Sequence, residues 1–205
     1  MPPPNPFPAR AVADKDIRTK WVRAICPVPP PHPYKIETLQ AYAQWARTKI
    51  FIETGTYKAE TTTALAPHFS KVISIELDQT LASAAQRVFA HSKHVKIVQG
   101  DSGLVLPKIL AEINERCLFW LDGHNCGPTT GMSKDFGPTP VMKELEVIFT
   151  HPVKDHIIII DDHRYFTGEW GYPTMDSLVR YLQSVRPDFV IDVCMDSIRI
   201  HPEKV

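Results

Sequence analysis

Residues 50–57, Ile-Phe-Ile-Glu-Thr-Gly-Thr-Tyr, read as a short buried strand that runs into a tight turn at Gly55. The strand spans residues 49–53, and a polar, Thr-rich helix start follows at Lys58-Ala-Glu-Thr-Thr-Thr63. A strand, a glycine turn and a helix start bring backbone close to a ligand and aim free N–H groups at it. A second apolar strand, Val72-Ile-Ser-Ile75, then ends at Glu76. A carboxylate at the tip of a second strand is placed to accept both hydroxyls of a ribose. The turn holds one glycine, so the three-glycine dinucleotide fingerprint is absent, which weakens a nicotinamide dehydrogenase reading. The two features point to a nucleoside-containing cofactor at the carboxyl ends of parallel strands. The plainer alternative is that Gly55 only ends a strand and Glu76 only caps one in solvent.

Outward from that stretch, strands and helices alternate. Helix 34–47 precedes the first strand, and helix 58–66 follows it, stopped by Pro67. Strand 71–76, helix 79–90, strand 95–99 and helix 103–114 come next, then strand 117–121, helix 140–149, strand 156–160 and helix 174–186. Residues 189–193 and 197–201 alternate apolar and polar, and read as a closing hairpin. Such alternation predicts a doubly wound, Rossmann-like α/β domain. Its mostly parallel, seven-stranded sheet would carry the antiparallel hairpin at one edge. Uninterrupted apolar runs such as Ile157–Ile160 fit central strands buried on both faces.

The N-terminal 34 residues read as an arm, and residues 35–205 as the domain. Residues 1–8 hold five prolines, residues 9–25 have partial helical spacing, and the Pro-rich residues 26–33 predict a stiff extended spacer. Such an arm would lie across the domain or reach a second copy of the chain. Lys plus Arg and Asp plus Glu number 23 each, so the balance gives no reason to expect nucleic acid or anionic membrane as a partner. No apolar run is long enough to span a bilayer. The four cysteines, Cys26, Cys117, Cys126 and Cys194, form no C-x-x-C pair. They point to reduced thiols in a cytoplasmic setting.

Successive strands end in acids: Glu53, Glu76, Asp101, Asp122 and the pair Asp161-Asp162. Ligands of open α/β sheets bind at those ends. Asp122, Asp161 and Asp162 come from two strands expected to be neighbours. Three converging carboxylates repel unless a cation lies among them, and an all-oxygen set favours Mg²⁺ or another hard divalent ion. His124 and His163 flank the cluster as candidates for a general base, a metal ligand or groups that support the ligands. The alternative is that the acids cap the following helices and the histidines line a rim. Residues 125–139 are too long for a plain connector and read as a lid or binding loop. The aromatics Tyr165, Phe166, Trp170 and Tyr172 read as a pocket wall or as packing over the sheet edge.

Together, Glu53-x-Gly55-x-Tyr57, Glu76, Gly100-Asp-Ser102, Leu121-Asp-Gly-His124 and Asp161-Asp162 resemble the class I S-adenosylmethionine-dependent methyltransferases. The likeness runs from about residue 35 to the C-terminus. It is most similar to the metal-dependent O-methyltransferases of the catechol and macrocin type. The resemblance implies that Glu53, Gly55, Tyr57 and Thr61 border the methionine part of S-adenosylmethionine, and that Glu76 holds the ribose. It places Asp101 and Ser102 by the adenine, and Asp122 at both the cofactor and the metal. Asp122, Asp161 and Asp162 would ligate Mg²⁺ or a similar ion for O-methylation of a small-molecule hydroxyl. Two positions depart from the pattern. Ala59 stands where a glycine is usual, and no lysine base follows Asp122, which leaves His124 or His163 for that role. Two rivals remain: a metal-dependent hydrolase built on the Asp/His cluster, and a non-catalytic relative that binds the cofactor or only a partner.

Overall fold

The computed structural model describes residues 17, 20, 21, 23, 24, 26–124 and 131–204. Helix α1 (His32–Ala46) leads into β1 (Ile50–Thr54), α2 (Glu60–Leu65) and β2 (Lys71–Glu76). Then come α3 (Gln79–Val88), β3 (Val95–Gln99), α4 (Ser102–Leu110) and β4 (Cys117–Leu121). The chain ends with α5 (Val141–Thr150), β5 (Ile157–Ile160), α6 (Met175–Val185), β6 (Phe189–Cys194) and β7 (Ser197–Pro202). Seven strands form one sheet in the order β3-β2-β1-β4-β5-β7-β6. The first five are parallel, and β7 inserts antiparallel between β5 and β6. The hairpin therefore extends the sheet through its second strand, not its first.

Side-chain alternation explains why both faces are covered. Ile50, Ile52, Ile73, Ile75, Phe119, Leu121, Ile158 and Ile160 pack under α4, α5 and α6 through Leu106, Leu145, Leu178 and Leu182. Phe51, Val72, Leu118, Trp120, Ile157 and Ile159 pack under α1, α2 and α3 through Leu39, Tyr42, Leu65 and Ala85. A strand buried on both sides has no polar positions to spare, which accounts for the four isoleucines of β5.

The chain winds from β1 outward to β2 and β3, then crosses back to β4 and β5. The switch point lies between β1 and β4, where strand order reverses and a crevice opens at the carboxyl ends. Gly55 sits there at φ 85°, and a Cβ at this position would collide with the Asp122 carbonyl. The turn after β1 and the turn after β4 touch through backbone, so only glycine fits.

Several expectations shift in detail. The extended spacer over 26–33 gives way at His32, because α1 begins there with Pro33 in its first turn, where a missing N–H costs nothing. Pro67 does not end all helical structure. It sits in a one-turn 3-10 extension, Ala66–His68, that follows α2. In the helix expected over 9–25, Ile17, Lys20, Trp21 and Arg23 are helical and the other positions, apart from residue 24, lie outside the described residues. Trp21 packs on Tyr34 at 4.5 Å between ring centroids and donates its indole N–H to the Pro27 carbonyl at 2.7 Å. Residues 1–16, Cys126 and the first part of the loop over 125–139 lie outside the described residues. No described helix is long and apolar enough to cross a membrane.

Candidate functional site

A cavity of about 240 Å³ opens at the switch point. Gly55, Tyr57, Glu76, Asp101, Ser102, Asp122 and His124 line it, with Leu77 and residues of the 131–140 segment. Glu76 is the best-defined of these groups. Its Oε2 accepts the Tyr57 N–H at 2.7 Å, and its Oε1 accepts the Asp78 N–H at 2.9 Å. A carboxylate has about four lone-pair directions. Two stay free on a side chain that backbone holds rigidly against the cavity. Asp101 lines the cavity and also caps α4 by accepting the Gly103 N–H at 3.0 Å. The capping and the ligand-facing readings of this residue therefore coexist.

The Tyr57–Ala59 turn takes left-handed backbone without a glycine. Tyr57 at φ 46° and Ala59 at φ 61° both stand in the left-handed region. A non-glycine residue there carries strain on the order of 1–3 kcal/mol. The described part of the long loop packs over the cavity: the Phe136 ring covers Gly103, Leu77 packs against Gly131, and Pro138 against Gly171.

Glu53 and Thr61 do not line this cavity. The register pairs Glu53 with Ser74, and its carboxylate turns inward to accept the hydroxyls of Ser74 and Thr62. Burial pushes that carboxyl up to about 8, so it is largely neutral at pH 7. Its visible work is to tie the first turn of α2 to the sheet. Thr61 Oγ1 lies 3.1 Å from His32 Nε2, which anchors the start of α1.

The acids after β4 and β5 meet cations of the chain itself. Asp161 pairs with Lys35 of α1. Arg164 Nη1 donates to Asp162 Oδ1 at 2.7 Å and also pairs with Asp196. The His124 ring lies between the remaining carboxylates, with Nε2 3.0 Å from Asp162 and Nδ1 3.3 Å from Asp122. Burial pushes the Asp162 carboxyl up, but His124 and Arg164 outweigh it and hold the group below the usual range. Burial and Asp122 push Asp161 the other way, against Lys35. Tyr165 and Tyr172 stand 6.0 and 6.4 Å from the His124 ring and wall it in. Trp170 is instead 80% exposed, and Phe166 is buried in the core. His163 lines no described cavity; its backbone N–H donates to the Asp196 carbonyl at 2.8 Å.

Asp122, His124 and Asp162 each offer a ligand atom within 4.8 Å of the others. The three-aspartate set expected from sequence does not fit a hard divalent ion. Asp161 faces the Lys35 ammonium, both Asp162 oxygens are engaged, and an imidazole separates Asp162 from Asp122.

Beneath the Asp122–His124 turn, Asp161 Oδ1 is buried with no hydrogen-bond partner among the described residues, and the buried Glu144 carboxyl lies against the Thr54 and Ser102 hydroxyls. Burial pushes the Glu144 carboxyl up to about 7. Glu144 and Lys35 are the site residues that sequence reasoning missed. Glu144 left a trace, a carboxylate in step with Val141, Leu145 and Ile148 on the buried face of α5. Lys35 left none.

No family model matches the sequence, and no curated protein matches it. Solved structures do. An O-methyltransferase from Bacillus cereus in complex with S-adenosylhomocysteine is 17% identical, with a TM-score of 0.61 over 93% of this chain and 90% of that one. An O-methyltransferase from Streptomyces achromogenes, involved in tomaymycin synthesis and in complex with S-adenosylmethionine, gives 13% identity and a TM-score of 0.62 over 95% and 92%. A Podospora anserina methyltransferase bound to S-adenosylhomocysteine gives 12% and 0.60 over 93% and 89%. Likeness at such low identity is likeness of fold. The chain has the seven-stranded α/β fold of the class I S-adenosylmethionine-dependent methyltransferases.

Proposed function

We propose that this protein is an S-adenosylmethionine-dependent methyltransferase acting on a small-molecule hydroxyl. The observation that carries the reading is Glu76, a buried carboxylate fixed by two backbone N–H groups, with two acceptor directions left at a cavity on the switch point. Those directions suit the paired hydroxyls of a ribose. Asp101 and Ser102 stand beside it for the base, and Gly55 allows close approach at the turn between β1 and β4.

When bound, S-adenosylmethionine supplies an electrophilic methyl group on a sulfonium. The acceptor oxygen forms the new C–O bond as the C–S bond breaks, and the electron pair stays on sulfur as S-adenosylhomocysteine. Positioning does much of the work in such a displacement. The acceptor proton needs a destination, and His124 is best placed to receive it. Asp162 holds Nε2 at 3.0 Å, and Nδ1 makes the longer contact, 3.3 Å, to Asp122, which lines the cavity beside it. His163 lacks such an orienting partner and is the weaker candidate. Divalent-ion assistance, implied by the resemblance, has less support, because the carboxylates meant for the ion are paired within the chain. The same pairing counts against the metal-dependent hydrolase.

Calorimetric titration with S-adenosylhomocysteine tests the reading, with micromolar affinity expected. Glu76→Ala should weaken binding about tenfold or more, since a buried charge-assisted pair is worth about 1.5–3 kcal/mol. Unchanged affinity in that variant defeats the ribose assignment. No binding by the wild-type chain defeats the cofactor reading as a whole.

A further inference from the structure

We infer that Lys35 takes the place of a divalent cation in this acid cluster, so that the site operates with cations supplied by its own chain. The inference rests on the methyltransferase reading for its catalytic meaning, but not for its geometry. Asp161 is 4% exposed, and the side chain of Lys35 is about one-fifth exposed. Burial by itself would lower the lysine's proton affinity, yet Asp161, Asp122 and Asp162 raise it above the usual range.

Lys35 is not a wandering surface lysine. It lies in the first turn of α1, which His32 ties to Thr61 on one side, while Tyr34 and Thr38 are buried on the other. Its ammonium also stands 5.8 Å from the Trp120 ring centroid. The helix that follows the Pro-rich spacer thus delivers a fixed positive charge to the carboxyl end of β5.

Asp122, Asp161, Asp162 and Asp196 supply the carboxylates around it, and Lys35 and Arg164 are the fixed cations set against them, with the His124 ring between Asp122 and Asp162. A magnesium-like ion needs several free oxygens in near-octahedral array. Here Asp161 would have to leave Lys35, stranding a largely buried ammonium without its carboxylate. The lysine and an ion therefore compete for the same carboxylate.

Competition is what the experiment reads, with Mn²⁺ alone as the probe and electron paramagnetic resonance counting free ion. The wild-type chain should bind Mn²⁺ no better than millimolar. Lys35→Met keeps the aliphatic stem and removes the charge, and its Mn²⁺ affinity should rise by about tenfold or more, equivalent to roughly 1.4 kcal/mol. Lys35→Gln provides the same loss of charge should Lys35→Met fold poorly. Lys35→Arg retains the charge and should stay as metal-free as the wild type. Micromolar Mn²⁺ binding by the wild-type chain overturns the inference, as does an absence of gain in both neutral variants. S-adenosylhomocysteine titrated into the same samples reports separately: failure there counts against the cofactor reading and leaves the metal result standing.

Discussion

At the amino ends of β4 and β5, a buried hydrogen-bond chain closes on itself. The Cys117 N–H donates to His156 Nδ1 at 3.0 Å, so His156 carries its proton on Nε2 and donates to His151 Nδ1 at 2.9 Å. His151 Nε2 then donates to the Leu110 carbonyl at 3.0 Å. Each ring nitrogen has one partner, and both rings are neutral. At the carboxyl ends of the same strands, carboxylates, a lysine, an arginine and an imidazole crowd together, and the buried Asp161 Oδ1 has no partner among the described residues. Buried polar groups are almost always satisfied, so a closed network reads as structure and an open one as a place prepared for something else. One pair of strands thus carries a closed network at one end and an open one at the other.

The sharpest way to break this comparison is to close the open end. In Gly55→Ala the new methyl group meets the Asp122 carbonyl, and the residue must hold φ 85°. The turns after β1 and β4 have to part, which displaces Asp122 and the Tyr57 N–H that holds Glu76. S-adenosylhomocysteine binding should be lost within the reach of calorimetry, and stability should fall by about 1–3 kcal/mol. Normal binding in this variant would show that the two turns are not the floor of the site.

The closed end predicts the reverse pattern. His156→Leu leaves the Cys117 N–H buried without an acceptor, which costs about 1–3 kcal/mol, with cofactor affinity of the folded chain unchanged. Burial, with His151 beside it, pushes the His156 imidazole down to about 3. Its ring signals in NMR should therefore stay constant from pH 8 to about pH 4.5. The folded pKa lies below the unfolded one. The contribution of His156 is therefore complete above about pH 6.5 and is lost as the pH falls toward 3, on the order of 5 kcal/mol in all. Glu53, with its raised carboxyl, works in the opposite sense between about pH 4.5 and 8, so the ring signals are a cleaner readout than total stability. Titration of His156 near pH 6 would mean that the network is open after all.

The two ends were not equally legible in the sequence. Features carried by consecutive residues came through: Gly55 in its turn, Glu76 at a strand tip, Asp101 before a helix, and the order of strands and helices. What stayed hidden depended on register or on distance along the chain. That Glu53 faces Ser74 and Thr62 follows from how β1 pairs with β2, which no local pattern encodes. Lys35 meets Asp161 across 126 positions, and Arg164 meets Asp196 across 32. A count of neighbouring acids includes none of those distant cations, with which an ion would have to compete. The same limit hid the buried histidine chain, whose members look like ordinary loop and strand-edge residues until β4 and β5 are paired.

The finest test of the contrast sets two helix caps against each other. Asp78 caps α3 by accepting the Thr80 and Leu81 N–H groups at 2.8 and 2.9 Å, and it does not line the cavity. Asp101 caps α4 through the Gly103 N–H and does line it. Alanine at either position removes a cap and should cost about 1 kcal/mol of stability, which makes each the control for the other. If Asp101 also serves a ligand, Asp101→Ala should lower S-adenosylhomocysteine affinity about threefold to tenfold, the equivalent of a neutral-range hydrogen bond, while Asp78→Ala leaves it unchanged. Equal affinities would reduce Asp101 to a cap alone. The adenine side of the cavity would then rest on Ser102, Leu77 and the overlying 131–140 segment.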